Sequence, residues 1–258
     1  MTSYYTLITG ASSGIGLALA EQFARKKHNL ILVARRKQKL DAVAKKLSHH
    51  GVKVKVISAD LSLPGGAELL FKQVEKQNLH VDTLVNNAGR GNSGEFCDQE
   101  VDHMQGTLEL NMTSLTVLTR LFIPKMKQRR SGRILNIASI AGFMPGPGFA
   151  VYHATKAYVL SLTEALNIEL QGLGISVTAS CPGPTESEFH QQADTLDLKG
   201  FKMFSLMPAK KVAEEAYAAM NARRPIVVHG ILNQALATSP KLLPRNWVPR
   251  IVKTFMTK

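Results

Sequence analysis

Short runs of aliphatic and β-branched residues recur along the chain, and polar or amphipathic stretches separate them. The runs are continuous rather than alternating, which is typical of strands that are buried on both faces of a parallel sheet. They predict strands at residues 4–9, 30–33, 54–58, 84–86, 134–138, 177–181 and 226–228.

Amphipathic segments between these runs predict helices near residues 14–27, 37–50, 65–78, 99–130, 151–171 and 208–222. Strands that alternate with helices predict an α/β protein with a doubly wound parallel sheet, right-handed crossovers and helices on both faces. No linker-like or repetitive stretch divides the chain, so we expect a single domain over residues 1–258. Within it we expect a substrate lid at about 184–207 and a proline-containing C-terminal extension at about 230–258.

The composition excludes several other classes of protein. Two cysteines, Cys97 and Cys181, are too few and too far apart for a disulfide scaffold or a cysteine-rich zinc site. No stretch approaches the roughly 18 apolar residues of a spanning helix, and the first residues lack the basic region and cleavage site of a signal peptide. We therefore expect a cytoplasmic protein without a metal site.

The chain is strongly basic, with a formal net charge of +13. The excess is concentrated in residues 25–55 and 199–258. Such a charge is typical of proteins that bind nucleic acid, an anionic membrane or a phosphorylated ligand. Lysines that only face solvent on exposed helix faces are the alternative explanation. Aromatic residues are not interleaved with the basic runs as in a single-strand-binding groove, so we expect no nucleic-acid partner.

The first predicted strand leads into a glycine-rich turn and then a helix. Residues 9–16 read TGASSGIG. Glycines in this position permit a tight turn and let a diphosphate approach backbone N–H groups at the helix N-terminus. An ordinary strand–helix loop is the alternative, but the place after the first strand favours nucleotide binding. The cofactor-binding residues predicted here are Gly10, Ser12, Ser13, Gly14, Ile15 and Gly16.

Further motifs follow in a fixed order along the chain. Residues 86–89 read NNAG, Asn111 lies in a predicted helix, Ser139 follows the fifth strand, and Tyr152 and Lys156 form Y-x-x-x-K. Together with the glycine-rich turn, these motifs resemble those of the short-chain dehydrogenases/reductases, and the resemblance extends to about residue 228. It implies a Rossmann-like fold and an oxidoreductase that interconverts a carbonyl and an alcohol by direct hydride transfer with a nicotinamide cofactor.

The chemistry of the motif residues agrees with that family. Tyr152 and Lys156 are four residues apart on a helix and share one face. A free tyrosine titrates near 10, and an adjacent ammonium together with an oxidised nicotinamide would lower the pKa of Tyr152. Tyr152 then exchanges a proton with the substrate oxygen, and the Ser139 hydroxyl stabilises that oxygen. An exposed helix pair is the alternative for Tyr152 and Lys156, and Ser139 upstream favours catalysis.

The resemblance implies further roles that spacing alone does not supply. Lys156 would also hold the nicotinamide ribose, and Asn111 would hold a water that relays protons, although a capping or buried amide is the alternative for Asn111. Ser187 stands where the family usually has threonine. The cofactor contacts implied by resemblance are Asp60, Leu61, Asn87, Ala88, Gly89, Tyr152, Lys156, Pro182, Gly183, Thr185 and Ser187.

The end of the second strand bears on the choice of cofactor. NAD-binding relatives carry an acidic residue here, whereas this chain reads Ala34-Arg35-Arg36. Arg35 can form a bidentate pair with a 2′-phosphate, and Ser12 can donate a further hydrogen bond. Arg36 is a second candidate for the phosphate, or the first residue of the next helix. A surface charge is the alternative for Arg35. NADP(H) is favoured over NAD(H).

The substrate and partners are less determined. Loops 91–96, 141–149 and 184–207 should surround the reacting carbon, and their apolar residues indicate a small hydrophobic carbonyl or alcohol. These residues are Phe143, Met144, Phe149, Phe189, Leu196, Phe201, Met203 and Phe204. We expect a homodimer or homotetramer that pairs through the helices near 99–130 and 151–171.

Three alternatives remain open. The apolar lid residues also suit a plain helix packed on the core. The fold also suits a nucleotide sensor or scaffold without turnover. In the segment 241–258, a helix from Pro249 would place four apolar residues on one face: Ile251, Val252, Phe255 and Met256. This face could pack on protein, or it could bind a membrane surface if the protein is a membrane-peripheral enzyme that acts on a lipid-like substrate. We expect packing on protein.

Overall fold

A seven-stranded parallel sheet forms the centre of the protein. The computed structural model describes residues 3–195 and 206–256. The strands are β1 (Tyr4–Thr9), β2 (Asn29–Ala34), β3 (Val54–Ser58), β4 (His80–Asn86), β5 (Gly132–Ile137), β6 (Ile175–Cys181) and β7 (Ile226–Val228). They lie in the order β3-β2-β1-β4-β5-β6-β7, and every pairing is parallel. The predicted doubly wound, Rossmann-like α/β fold is confirmed.

Helices cover both faces of this sheet. They are α1 (Gly14–Arg25), α2 (Lys37–Ser48), α3 (Gly66–Lys76), α4 (Val101–Leu108), α5 (Ser114–Gln128), α6 (Ala150–Gln171), α7 (Phe189–Gln192), α8 (Ala209–Asn221), α9 (Ile231–Thr238) and α10 (Val248–Phe255). The helix predicted near 99–130 is present over 101–128, but a π-helical turn at Glu109–Thr113 interrupts its α-helical hydrogen bonding between α4 and α5.

Two apolar layers hold the helices on the sheet. Successive strand residues point to opposite faces, so Leu7 packs toward α3 and α5 whereas Ile8 packs toward α1, α2 and α8. Phe23 of α1 is fully buried in the second layer. Burial on both faces explains why the strands read as continuous apolar runs.

The order of the strands reverses between β1 and β4. In an open α/β sheet, this reversal opens a crevice at the carboxyl ends of the strands. Thr9 and Asn87 join the two strand ends there: the backbone N–H of Asn87 donates to Thr9 Oγ1 over 3.0 Å, and Asn87 Nδ2 donates to the Thr9 carbonyl over 2.9 Å. The loops after these strands are therefore fixed around the crevice.

Across residues 3–195 and 206–256, none of the helices combines the length and the apolar character that crossing a bilayer requires.

Candidate active site

A groove of about 480 Å³ occupies the crevice at the carboxyl ends of the strands. This volume lies in the range of small-molecule sites. Every predicted cofactor-binding residue lines this groove, and so do Ser139, Tyr152 and Lys156. Asn111 lies just behind the lining. The motifs that are far apart in sequence therefore converge on one cavity.

The glycine-rich turn is shaped for close approach of a ligand. Gly10 adopts a left-handed backbone conformation with φ of 67°, which glycine tolerates best. A side chain at Gly16 would collide with the carbonyl oxygen of Gly10, so the turn closes tightly before α1. The N-terminus of α1 then faces the groove, where its free N–H groups and helix dipole favour an anion. This cradle fits the diphosphate of a dinucleotide.

Ser139 and Tyr152 meet at one end of the groove. Ser139 follows β5, and its Oγ accepts from the backbone N–H of Ala141 over 3.1 Å and donates to the carbonyl of Pro182 over 3.3 Å. The Ser139 side chain also lies near enough to the Tyr152 hydroxyl to lower the pKa of that phenol. Both residues line the groove, where a substrate oxygen could contact the two hydroxyls.

Lys156 lies one helical turn beyond Tyr152 and is 5% exposed. Its Nζ donates to the carbonyl of Ile137 over 2.8 Å and stands 5.6 Å from the centre of the Tyr152 ring. Burial lowers the pKa of Lys156 to about 8, and the nearby Cys181 partly opposes that change. Lys156 is therefore still charged at neutral pH, but it loses its proton at a lower pH than an ordinary lysine.

The pKa of Tyr152 departs from the expectation. Burial raises the pKa of Tyr152 to about 12, and the nearby Ser139 side chain only partly offsets it. The protein groups alone raise this pKa because the phenolate is desolvated, whereas the expected lowering also requires an oxidised nicotinamide beside Tyr152 and stays a prediction. Tyr152 is a protonated phenol at neutral pH.

Asn111 occupies the π-helical turn between α4 and α5, a type of irregularity that is frequent at functional sites. Its Oδ1 accepts from the backbone N–H of Arg90 over 3.0 Å, and its Nδ2 donates to the Arg90 carbonyl and to Thr155 Oγ1. Thr155 is adjacent to Lys156. The side chain of Asn111 therefore ties the loop after β4 to the helix that carries Tyr152 and Lys156, and its proton-relay role stays a prediction.

The end of β2 presents two arginines to the groove in different ways. Arg35 lies beside Asp60, with Nη1 and Oδ2 separated by 3.9 Å. Arg36 instead turns to the glycine-rich loop, where its Nη2 donates to Ser12 Oγ over 3.3 Å and to Ser13 Oγ over 3.4 Å. Ser12 is therefore paired with Arg36 rather than with Arg35.

The segment after β6 crosses over the glycine-rich loop. Thr185 and Ser187 line the groove as predicted, and the backbone N–H of Thr185 donates to His190 Nε2 over 3.2 Å. Glu188, which the sequence analysis did not single out, binds Arg36 and Lys39. Its hydrogen bonds with Lys39 and Arg36 lower the pKa of Glu188 to about 2. The only sequence signal was an acidic residue on each side of Ser187, Glu186 and Glu188.

The apolar substrate loops are placed in part as predicted. Met144, Phe149 and Phe189 line the groove, and the Phe149 and Tyr152 rings stack with centres 4.5 Å apart. Phe143 instead packs against the core beneath α6, and no described residue of loop 91–96 lines the groove. The remaining predicted residues, Leu196, Phe201, Met203 and Phe204, lie outside the described part of the chain.

The C-terminal extension forms a wall of the same groove. One face of α10 lines it, together with Leu236 and Leu243. The lining residues of this helix are Val248, Ile251, Val252 and Phe255, and Met256 directly after it also lines the groove. The amphipathic face was visible in the sequence, but its place over the groove was not, because periodicity does not identify what a face packs against.

Comparison with known proteins agrees with the geometry. The family model for short chain dehydrogenase matches residues 5–197. A protein of Staphylococcus epidermidis named as an uncharacterized oxidoreductase is 32% identical over 188 residues, which are 73% of this chain and 80% of that protein.

Two solved structures share the fold over nearly the whole chain. A short-chain dehydrogenase from Sphingobium yanoikuyae in complex with NADPH is 35% identical, with a TM-score of 0.84 and coverage of 93% of this chain and 92% of that chain. A bulky-bulky ketone specific alcohol dehydrogenase from Comamonas testosteroni is 33% identical, with a TM-score of 0.77 and coverage of 93% and 95% respectively.

Proposed function

Because the chain belongs to the short-chain dehydrogenase family, we propose that it is an NADP(H)-dependent oxidoreductase that interconverts a bulky apolar carbonyl compound and its alcohol. The convergence of Ser139, Tyr152 and Lys156 at the end of a groove that fits a dinucleotide carries this proposal. The nicotinamide, when bound, supplies or accepts the hydride.

The side chains of the site each have a defined task. The turn of residues 10–16 and the N-terminus of α1 hold the diphosphate, and Lys156 holds the nicotinamide ribose. Tyr152 donates a proton to the substrate oxygen, and Ser139 donates a hydrogen bond to the same oxygen as negative charge develops on it. Asn111 fixes the helix of Tyr152 and Lys156 against the loop after β4.

The protonated phenol of Tyr152 suits the acid step of carbonyl reduction. A phenol with a pKa of about 12 is fully protonated at neutral pH and can act as a general acid. Alcohol oxidation requires the phenolate, whose formation is costly in this buried position. The positive charges of Lys156 and of an oxidised nicotinamide would both lower that cost.

NADP(H) rather than NAD(H) is the proposed cofactor. The end of β2 offers Arg35 and Arg36, and Arg36 already bonds Ser12 and Ser13 of the glycine-rich loop. Guanidinium and hydroxyl groups are suitable partners for a phosphate monoester. The NADPH complex of the Sphingobium relative is in line with this choice.

The apolar walls of the groove suit a hydrophobic substrate, and we propose a bulkier one than the small carbonyl or alcohol expected from the sequence. Phe149 and Phe189 flank Tyr152, and α10 adds a further apolar face. Such walls bind hydrophobic surface and leave the two catalytic hydroxyls as the polar groups that orient the carbonyl. The name of the Comamonas relative, specific for bulky-bulky ketones, fits this substrate class.

We also propose that the protein assembles as a homodimer or homotetramer in the cytoplasm. Apolar side chains on α4 and α6 are exposed in the single chain, among them Val101, Leu108 and Ile168. Exposed apolar residues of this kind are common at subunit contacts.

Replacement of Tyr152 by phenylalanine tests the assigned reaction. General acid catalysis is worth about 10²–10⁴-fold, so Tyr152→Phe should lower kcat for NADPH-dependent ketone reduction at least about 100-fold while the Kd for NADPH is unchanged. Tyr158→Phe is the matched control, because Tyr158 lies on the same helix and bonds Thr116 instead of the site.

Two results would contradict the proposal. Near-normal turnover by Tyr152→Phe would reject the assigned acid. A wild-type protein that binds NADPH but oxidises it with no member of a panel of bulky ketones would favour the sensor without turnover.

A further inference from the structure

The segment 185–189 connects the two ends of the groove. Ser187 packs on the glycine-rich turn, because a side-chain carbon at Gly14 would come within 2.8 Å of the Ser187 Cβ. Two residues later, the ring of Phe189 lies 5.3 Å from the ring of Tyr152. Glu188 stands between these two contacts, so its position is coupled to both the cofactor loop and the catalytic tyrosine.

Glu188 binds two cations from a distant part of the chain. Its Oε2 accepts from Arg36 Nη2 over 2.7 Å, and its Oε1 accepts from Lys39 Nζ over 2.8 Å. The same Arg36 nitrogen reaches the hydroxyls of Ser12 and Ser13. Two cations therefore meet at the Glu188 carboxylate at the rim of the groove, and one of them, Arg36, also contacts the two hydroxyls of the glycine-rich loop.

This set of donors is also suited to a phosphate monoester. Arginine, lysine and hydroxyl donors bind phosphate oxygens through charge-assisted hydrogen bonds. A carboxylate and a phosphate that share the same two cations repel each other, since the phosphate carries about 1.5–2 negative charges at neutral pH. A phosphate can therefore bind fully to Arg36 and Lys39 only if Glu188 leaves them.

We propose that Glu188 competes with the 2′-phosphate of NADP(H) for Arg36 and Lys39, so that binding of this phosphate releases the segment that holds Phe189 against Tyr152. The inference rests on the proposed function, because it places the 2′-phosphate at the end of β2. Glu188 is then a specificity-determining residue that weakens binding of NADP(H) and not of NAD(H). It is also the link between the adenosine end of the groove and the substrate end.

The direction of the expected effect follows from the charges. NAD(H) has no 2′-phosphate and leaves both ion pairs of Glu188 in place. NADP(H) must break these ion pairs, and each exposed or half-exposed pair of this kind contributes modestly. Removal of the carboxylate also removes its repulsion of the phosphate. We expect Glu188→Gln to tighten NADPH binding on the order of tenfold at low salt, with a smaller effect as salt screens the charges.

The first experiment measures binding without any turnover. Dissociation constants for NADPH, NADH, 2′,5′-ADP and 5′-AMP are determined by calorimetry for the wild type and Glu188→Gln. NADPH and 2′,5′-ADP should bind about tenfold more tightly to the variant, whereas NADH and 5′-AMP should change less than about twofold. Glu186→Gln is the matched control, because it removes the same charge from an exposed position in the same segment.

The second experiment follows the segment itself by hydrogen exchange. The backbone N–H groups of Thr185 and Glu186 are protected by bonds to His190 Nε2 and to the Met207 carbonyl. Addition of 2′,5′-ADP should speed exchange in peptides that cover 184–190 in the wild type but not in Glu188→Gln. Addition of 5′-AMP should leave exchange unchanged in both proteins.

The binding results distinguish the competition by Glu188 from the proposed NADP(H) preference. A wild type that prefers NADPH while Glu188→Gln binds it equally well or more weakly would overturn the competition alone. Equal binding of 2′,5′-ADP and 5′-AMP by both proteins would overturn the competition and the NADP(H) preference together. A preference for NADPH that emerges only in Glu188→Gln would support the competition and refute the preference in the natural protein.

Discussion

Replacement of Lys156 by methionine separates the stability of the protein from its activity. A lowering of the lysine pKa from its ordinary value of 10.5 to about 8 means that the charged form is penalised by roughly 3 kcal/mol in the folded protein. Methionine has a similar length and no charge, so it avoids this penalty. The substitution also removes the hydrogen bond to the Ile137 carbonyl, at a cost of about 1 kcal/mol.

The balance predicts a variant that is more stable and less active. At pH 6.5, Lys156→Met should raise the free energy of unfolding by about 2 kcal/mol, measured by urea unfolding. Ketone reduction should fall by at least about 100-fold, because the ammonium beside Tyr152 is lost. Lys45→Met, at an exposed position on α2, serves as the control and should change neither quantity appreciably.

The sign of the pH dependence gives a stricter test. Between pH 8 and 10.5 the unfolded chain keeps the Lys156 proton that the folded protein has already released, so stability of the wild type rises with pH in this window. The advantage of Lys156→Met should therefore shrink above pH 8 and reverse near pH 10. A variant that is destabilised by the same amount at pH 6.5 and pH 10 would refute the view that a buried ammonium is costly here.

Two further substitutions test the ends of the groove. Arg36→Ala should raise the KM for NADPH about tenfold or more and leave the KM for NADH nearly unchanged. Arg35→Ala is measured alongside. Equal effects of Arg36→Ala on both cofactors would mean that Arg36 does not contact the phosphate. Phe255→Ala should raise the KM for a bulky aromatic ketone roughly tenfold without a change in the Kd for NADPH, because it removes apolar surface from the wall. Trp247→Ala, on the same extension but outside the groove lining, is the control for Phe255, and an equal loss in both variants would contradict a direct contact.

The sequence predicts the sheet well because burial on both faces leaves a local signal. β1, β3 and β7 have the predicted bounds, since their ends coincide with the ends of the apolar runs. β4 begins at His80, four residues before the predicted start. His80 and Thr83 pair with Tyr4 and Thr6 of β1, so the ladder rather than hydrophobicity holds them in the strand, and Asp82 is the extra residue of a register shift.

Most motif residues were also predictable because they follow the end of a strand or share a helix face, whereas Asn111 was assigned by resemblance to the family. The contacts that were not predictable join parts of the chain far apart in sequence. Arg36 and Glu188 are 152 residues apart, and neither lies in a local sequence pattern that predicts the other as its partner. The π-helical turn at Asn111 was missed because one extra residue in a helix hardly disturbs the hydrophobic period.

The groove divides into a part that fixes the reaction and a part that fixes the substrate. The proposed catalytic residues Ser139, Tyr152 and Lys156 lie within residues 5–197, which match the family model. The wall formed by Leu236, Leu243 and α10 lies beyond that match and encloses the substrate end. Since a hydrophobic pocket selects substrates by the shape of its walls, the substrate of a relative does not transfer with its catalytic residues. A panel of ketones graded by size, tested on the wild type and on variants of α10, therefore addresses substrate choice more directly than further changes at Tyr152.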